Sequence, residues 1–331
     1  MRLLALETTC DETAAAVVRD DFTVESSVIA SQAAAHAAFG GVVPELAARM
    51  HLERLPSVVA ESVEPIGGLG KSLDGVAVAF GPGLVGCLAV GVTYAQSLAA
   101  GLGLPVVGVS HMSGHVLAAR IEDPTLEPPF VALVVSGGHT DLIHYQAHDR
   151  VVLMGATRDD AVGEAFDKVA RMLGLPYPGG PAIDRLAATG DASKYRLPRP
   201  VLPDFEFSFS GLKTAVLYLI RDLGELSQEQ VADLAASFRL AAVETLCIQL
   251  EAAVEQTAST RVVLAGGVAR NQLLRQLVRE RLQGIATVTI PAPDLCTDNA
   301  AMIGAAAWTK VARAGFDPEP FGVEPGLRAY V

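Results

Sequence analysis

The chain is 331 residues long (34.5 kDa), half hydrophobic, 19% charged, with a net charge of −12 and a pI near 5.0. That length predicts two domains or one large two-lobed unit, and the composition excludes intrinsic disorder. The acidic balance argues against non-specific nucleic-acid binding, so an RNA-directed role needs a local basic patch or a basic partner.

The elements alternate along the chain. Arg2 to Glu7 reads as a first strand, with too few apolar residues before Glu7 for a signal-peptide core. A polar turn, Thr8-Thr9-Cys10-Asp11-Glu12-Thr13, leads to a second strand ending near 19. A helix is expected near 44–64, where Leu46, Ala47, Met50, Leu55, Val58 and Val59 recur at helical spacing. Then come a strand at Gly75–Phe80, an Ala/Gly-rich helix to about 101, and a short strand at Val106–Val109. Residues 130–145 repeat the opening pattern: strand, Ser136-Gly137-Gly138-His139-Thr140, strand. The second half continues with helices near 211–223 and 228–257, strands at 261–265 and 286–290, and a last helix near 299–314. Such alternation predicts α/β architecture built from a duplicated unit. The halves are expected at 1–115 and 116–331, with the last helix free to pack back on the first. No run of about 18 uncharged apolar residues stands out, so no membrane span is expected. The four cysteines, Cys10, Cys87, Cys247 and Cys296, are scattered without a C-x-x-C pair, which disfavours a cysteine metal site and suits a reducing cytoplasm.

Six segments are candidates for chemistry. The turn Val135–Thr140 can bring backbone N–H groups against a phosphate, or be a plain Gly-Gly hairpin. Leu264–Asn271 reads as a strand–Gly-Gly–helix junction offering helix amides to a nucleotide, or as an ordinary βα loop. His111 and His115 stand at i and i+4, so one helix face can present both imidazoles to one metal; a bare pair of unrelated histidines has the same spacing. Met112 occupies the place of the glutamate in H-E-x-x-H, which disfavours a metalloprotease. Asp298 either caps the last helix or, if the lobes close, completes a two-histidine, one-carboxylate set of the kind associated with Fe(II). Acids at 159, 160, 164, 167 and 184 surround Tyr177-Pro178-Gly179-Gly180-Pro181, either as a solvated face or as holders of ribose hydroxyls or an amine. Ser208-Phe209-Ser210-Gly211-Leu212-Lys213-Thr214 reads as an exposed aromatic–serine turn before a helix that is a further candidate, or as an N-cap with Ser210. His36, His51, His144 and His148 read as surface or satisfied core histidines.

Nine blocks in order resemble one family: Glu7–Thr13, Glu45–Arg49, His111/His115, Val135–Thr140, Glu164–Lys168, Tyr177–Asp184, Phe207–Thr214, Gly266–Asn271 and Thr297–Gly304. This is the TsaD/Gcp family of tRNA N6-adenosine threonylcarbamoyltransferases. The resemblance implies an actin-like, sugar-kinase-like ATPase fold, with two duplicated α/β lobes around a nucleotide cleft. It implies transfer of threonylcarbamoyl from threonylcarbamoyl-adenylate to N6 of adenosine 37 in the anticodon loop of ANN-decoding tRNAs, releasing AMP. By matching motif, His111, His115 and Asp298 hold one Fe(2+) per subunit. Val134, Val135, Ser136, Gly137, Gly138, Asp167, Gly180, Asp184 and Asn271 contact the substrate. Asp11 or Glu12 is the candidate base for the weakly nucleophilic adenine N6. The implied partners are a TsaB-type paralogue and a TsaE-type ATPase; the small, adaptable packing of Ala47, Ala48 and Met50 makes residues 44–64 the expected paralogue interface. No membrane partner and a cytoplasmic location are expected. The tail Val323–Val331 lacks the Arg-Pro-Arg-Trp ending common in proteobacterial members, and the loop before Phe207 is slightly short. A small-molecule kinase of the same fold is the alternative.

Overall fold

The apolar run behind Met1 forms β1 (Arg2–Glu7), which turns into the antiparallel β2 (Glu12–Arg19). The structure is a computed structural model describing residues 1–39, 41–70, 72–327 and 330. The chain divides into two units, Met1–Leu126 with Thr297–Val331, and Glu127–Cys296.

In the first unit β3 (Val24–Ser31) pairs with β2, and α1 (Ala33–Ala37) and α2 (Pro44–Val63) follow. Next, β4 (Gly75–Gly81) lies parallel to β1, α3 (Val85–Leu102) crosses over, and β5 (Val106–Ser110) closes a sheet of order β3-β2-β1-β4-β5. Two short helices, α4 (His111–Leu117) and α5 (Ala119–Glu122), end this stretch. β1 and β4 are buried along almost their whole length, the signature of central strands covered by helices on both faces. By length and composition α3 is long and apolar enough to cross a membrane, which corrects the expectation that no such run exists. It is packed against β4 and α2, with Leu88, Val92 and Ala95 among its buried residues.

The second unit repeats the topology. β6 (Phe130–Val135), β7 (Thr140–Ala147) and β8 (Arg150–Ala156) form an antiparallel meander. There follow α6 (Val162–Met172), α7 (Gly179–Leu186), α8 (Ser210–Leu223) and α9 (Gln228–Thr257). β9 (Arg261–Ala265) then lies parallel to β6; α10 (Gln272–Arg281), β10 (Thr287–Thr289) and α11 (Pro293–Cys296) complete the unit. Read from β8, the order β8-β7-β6-β9-β10 has the same strand senses as the first sheet. The duplication read from the two hairpins is thus present in both sheets. α12 (Ala300–Ala314) belongs to the first unit and packs on β1, β2 and α4.

Neither third strand stands out in the sequence. β3 alternates between half-buried and exposed residues at a sheet edge, and β8 is largely open on its outer side. Helix starts also differ from the cap residues read in the sequence. Ser210 is the first residue of α8 and does not cap it. Asp159 does so from a distance, its Oδ1 accepting from the amides of Phe209 (2.9 Å) and Ser210 (3.2 Å), and its Oδ2 from the Ser208 hydroxyl. Asp159→Ala is therefore expected to cost about 1–2 kcal/mol, the loss of a full cap, in a urea titration. An unchanged midpoint would show that solvent caps α8 equally well.

Candidate metal centre and substrate loops

The metal-type cluster lies within the first unit. Ser110 caps α4 by accepting from the Ser113 amide (3.4 Å), so the helix begins at His111 and His115 falls one turn later on the same side. The rings meet edge to face, with centroids 4.7 Å apart. Asp298 precedes α12, whose cap is Asn299, its Oδ1 accepting from the Met302 amide at 2.9 Å. Asp298 therefore does not cap that helix. Its Oδ1 lies 3.6 Å from His111 Nε2 and 3.3 Å from His115 Nε2. One ligand atom from each of the three residues falls within 4.8 Å of the others.

Glu7, at the end of β1, supports the cluster and was not singled out in the sequence. It is fully buried; its Oε2 lies 2.9 Å from His111 Nδ1, and its Oε1 accepts from the Thr9 amide at 2.6 Å. A carboxylate on Nδ1 leaves Nε2 as the lone-pair nitrogen, the orientation a ligating imidazole needs. Burial opposes a charge on His111, but Glu7 and Asp298 outweigh it and raise its pKa to about 9. Positive charge is therefore favoured between these carboxylates, and a divalent cation can replace the proton. The donor set of two imidazoles and one carboxylate suits a first-row transition metal with open positions.

The turn between β1 and β2 carries Asp11, and Glu12 opens β2 within electrostatic reach of Asp298. Glu12 Oε1 accepts from the Ser31 hydroxyl at 2.9 Å, and its Oε2 is buried with no hydrogen-bond partner among the described residues. Burial pushes the Glu12 carboxyl up to about 7; the Ser31 bond opposes this, and Asp11 and Asp298 add to it. A group titrating there is suited to proton transfer near neutral pH.

In the second unit, Val134 and Val135 are fully buried in β6, so only their backbone is available to a ligand. Ser136 Oγ accepts from the amides of Gly138 (3.3 Å) and His139 (3.0 Å), so an incoming oxyanion would have to replace it there. A Cβ on Gly137, Gly138 or Gly180 would meet nothing within 4 Å. Protein packing therefore does not demand glycine at these three positions. Gly179 and Gly266 differ. A Cβ on Gly179 would lie 2.7 Å from Asp167 Cα, and one on Gly266, at φ +88°, would lie 2.4 Å from the Val135 carbonyl oxygen. The Gly266-Gly267 junction opens into a 3-10 turn over Gly267–Arg270, not directly into α10, which Asn271 caps by accepting from the Leu274 amide at 3.0 Å.

The dense acidic face resolves into separate partnerships. Asp160 pairs with Lys168 and Lys213, and Glu164 with Lys168. Asp167 Oδ1 accepts from the Gly179 amide at 2.7 Å, while burial raises its pKa against the Gly179 and Gly180 amides. Asp184 Oδ1 accepts from Arg239 (2.8 Å) and from Asn271 Nδ2 (3.1 Å), tying α7 to α9 and to the start of α10. The arginines of α10 do not form a basic stripe either. Arg275 is buried against the carbonyls of Ala269 and Pro291, and Arg281 pairs with Glu251 and Glu244. On α2, Ala47 is fully buried, which removes it from an outer face that still exposes Leu52.

Residues 23–305 match the family model described as TsaD, tRNA N6-adenosine threonylcarbamoyltransferase. A curated relative of that name from Moorella thermoacetica is 48% identical over 329 residues, covering 98% of this chain and 96% of its own. Another, from Geobacter sp. strain M21, is 52% identical over 308 residues, covering 92% and 89%. Among solved structures, T. kodakarensis HypF aligns with TM-score 0.66 at 13% identity, over 95% of this chain and 48% of its own. Component A of the Acidaminococcus fermentans (R)-2-hydroxyglutaryl-CoA dehydratase aligns with TM-score 0.54 at 14% identity, over 95% and 100%. These distant likenesses establish the actin-like ATPase fold and nothing beyond it.

Proposed function

We infer the chemistry of this site from one premise: the chain belongs to the tRNA N6-adenosine threonylcarbamoyltransferase family. It is a transferase that forms N6-threonylcarbamoyladenosine in tRNA. The donor is threonylcarbamoyl-adenylate, the acceptor is N6 of adenosine 37 in the anticodon loop of ANN-decoding tRNAs, and AMP leaves. The observation that carries this reading is the match over residues 23–305, which spans the His111, His115 and Asp298 cluster.

The donor is a mixed anhydride and already activated, so the protein has to orient it and stabilise charge on the departing phosphate. His111, His115 and Asp298 would hold one Fe(2+), with Glu7 fixing the His111 tautomer. Bound there, the metal supplies a Lewis acid for phosphate oxygen. The open space over Gly137, Gly138 and Gly180 supports close backbone approach of the adenylate, alongside Val134, Val135 and Ser136. Asp167, Asp184 and Asn271 supply polar contacts to its ribose or threonyl part. Glu12, or Asp11 beside it, accepts the proton as adenine N6 attacks the carbamoyl carbon. An unpaired anticodon-loop base is presented at modest cost.

Nucleoside analysis of tRNA from cells depleted of this chain tests the reaction directly. Loss of N6-threonylcarbamoyladenosine is expected, and normal levels would refute it. Asp167→Ala is expected to weaken binding of a non-hydrolysable adenylate analogue at least tenfold, about the value of a charged hydrogen bond, with metal content intact. Equal affinity in a calorimetric titration would remove Asp167 from the substrate site.

With net −12, Arg275 buried and Arg281 paired, the lone chain has little basic surface for tRNA. Exposed Arg270 and Arg279 and the loop residues Lys194 and Arg196 supply at most a few phosphate contacts. A TsaB-type paralogue seated on the outer face of α2, around Leu52 and Met50, and a TsaE-type ATPase complete the system in the cytoplasm. Without them, tRNA binding is expected to be weak and steeply salt-dependent, with little turnover. Salt-insensitive multiple turnover by the chain alone would contradict this.

A further inference from the structure

His51 is fully buried on the inner face of α2, and its surroundings decide which nitrogen carries the proton. Its Nε2 lies 2.9 Å from the carbonyl oxygen of Cys10, which can only accept, so Nε2 must donate. Its Nδ1 faces the Gln32 side-chain amide nitrogen (3.3 Å), which can only donate, and the Thr13 hydroxyl (2.8 Å). Nδ1 therefore accepts, and the imidazole is the neutral Nε2–H tautomer. The Gln32 amide is oriented in turn, its Oε1 lying 3.2 Å from His36 Nε2. Burial lowers the His51 pKa, in keeping with a neutral ring.

Cys10 precedes Asp11, and the carbonyl of Asp11 is also held, accepting from the Gln32 backbone amide at 3.0 Å. The two peptide groups flanking Asp11 are thus pinned from the α1–α2 side, one by a side chain and one by backbone. The same turn contains Thr9, whose hydroxyl lies 3.2 Å from His111 Nδ1, and it ends at Glu12. We propose that His51 is a positioning residue for threonylcarbamoyl transfer: its Nε2–H bond to the Cys10 carbonyl sets the orientation of the Asp11–Glu12 turn, and Thr13 and Gln32 hold the required tautomer. This rests on the reading of that turn as the site of proton transfer.

The test is steady-state transfer from threonylcarbamoyl-adenylate to a tRNA transcript with the TsaB-type and TsaE-type partners present, and metal content and melting temperature are measured on each variant. His51→Leu keeps bulk but loses the donor, and kcat is expected to fall about 10–100-fold with KM for tRNA and metal stoichiometry unchanged. His51→Gln can place an amide N–H near the Nε2 position and is expected to recover most of that loss. An unchanged kcat in His51→Leu overturns the proposal. So does a loss that follows metal content or KM, or one that His51→Gln leaves unrelieved in a folded protein. Should His51→Leu fail to fold, two measurements decide. Long-range 15N–1H NMR of the wild-type protein must report the Nε2–H tautomer, and His51→Gln must retain turnover; failure of either overturns the assignment. A wild-type protein that binds metal but transfers nothing to tRNA even with its partners present counts against the reaction itself, and the NMR result stands apart from it.

Discussion

The double variant His111→Ala/His115→Ala is expected to purify without stoichiometric metal and to lose at least about 10³-fold in transfer rate, the equivalent of several kcal/mol of charge stabilisation. The geometry behind this is local. Both Nε2 atoms lie within 3.6 Å of one Asp298 oxygen, and no other residue in the three-ligand set can replace an imidazole. Elemental analysis of protein purified without oxygen is the direct measurement. Unchanged stoichiometry in the double variant would falsify the site. Glu7→Gln sharpens the test, because it removes the charge on His111 Nδ1 while keeping the shape of the side chain. It should lower metal affinity about 10–100-fold, the usual cost of losing an outer carboxylate on a ligating histidine. Asp298→Asn should retain a carbonyl donor and lose affinity less severely than Asp298→Ala.

The second large effect is pH-dependent. With Glu12 as base, kcat/KM should rise with pH through about 7, since only the ionised carboxylate accepts a proton. Metal at Asp298 neutralises one contribution to that elevated value, so the metal-loaded midpoint should lie below the metal-free one. Glu12→Gln should abolish the rising limb and cost about 10²–10⁴-fold in rate. A limb that survives in Glu12→Gln assigns the base elsewhere, with Asp11→Asn the next variant to measure. Stability carries the same ionisation with opposite sense. Because burial raises the folded-state pKa, protonation of Glu12 favours the native form, and that contribution fades as pH rises through about 7.

The hairpin-first halves were legible because their signal is local. An apolar run, a short polar turn and a second apolar run appear at 2–19 and again at 130–145, and each is the antiparallel start of a five-stranded sheet. The His111/His115 pair was legible for the same reason, since i,i+4 spacing on a helix needs no tertiary information. What helix spacing could not show is Glu7, brought to His111 across 104 positions by the parallel pairing of β1, β4 and β5. Nor could it show that the acids at 159, 160, 164, 167 and 184 have separate partners. Asp159 is committed to the start of α8, Asp160 to two lysines, and Asp184 to Arg239 and Asn271. Nor does the charge of the α10 arginines show their exposure: Arg275 is buried on backbone carbonyls. By itself, then, the sequence determined the alternation of elements, the repeated hairpin and the ligand spacing, because each depends on neighbours a few residues apart. Only the tertiary structure decided which carboxylate orients an imidazole, which cap belongs to which helix and which basic groups reach solvent. Those outcomes depend on burial and on hydrogen-bond partners that sheet and helix packing draw from distant parts of the chain.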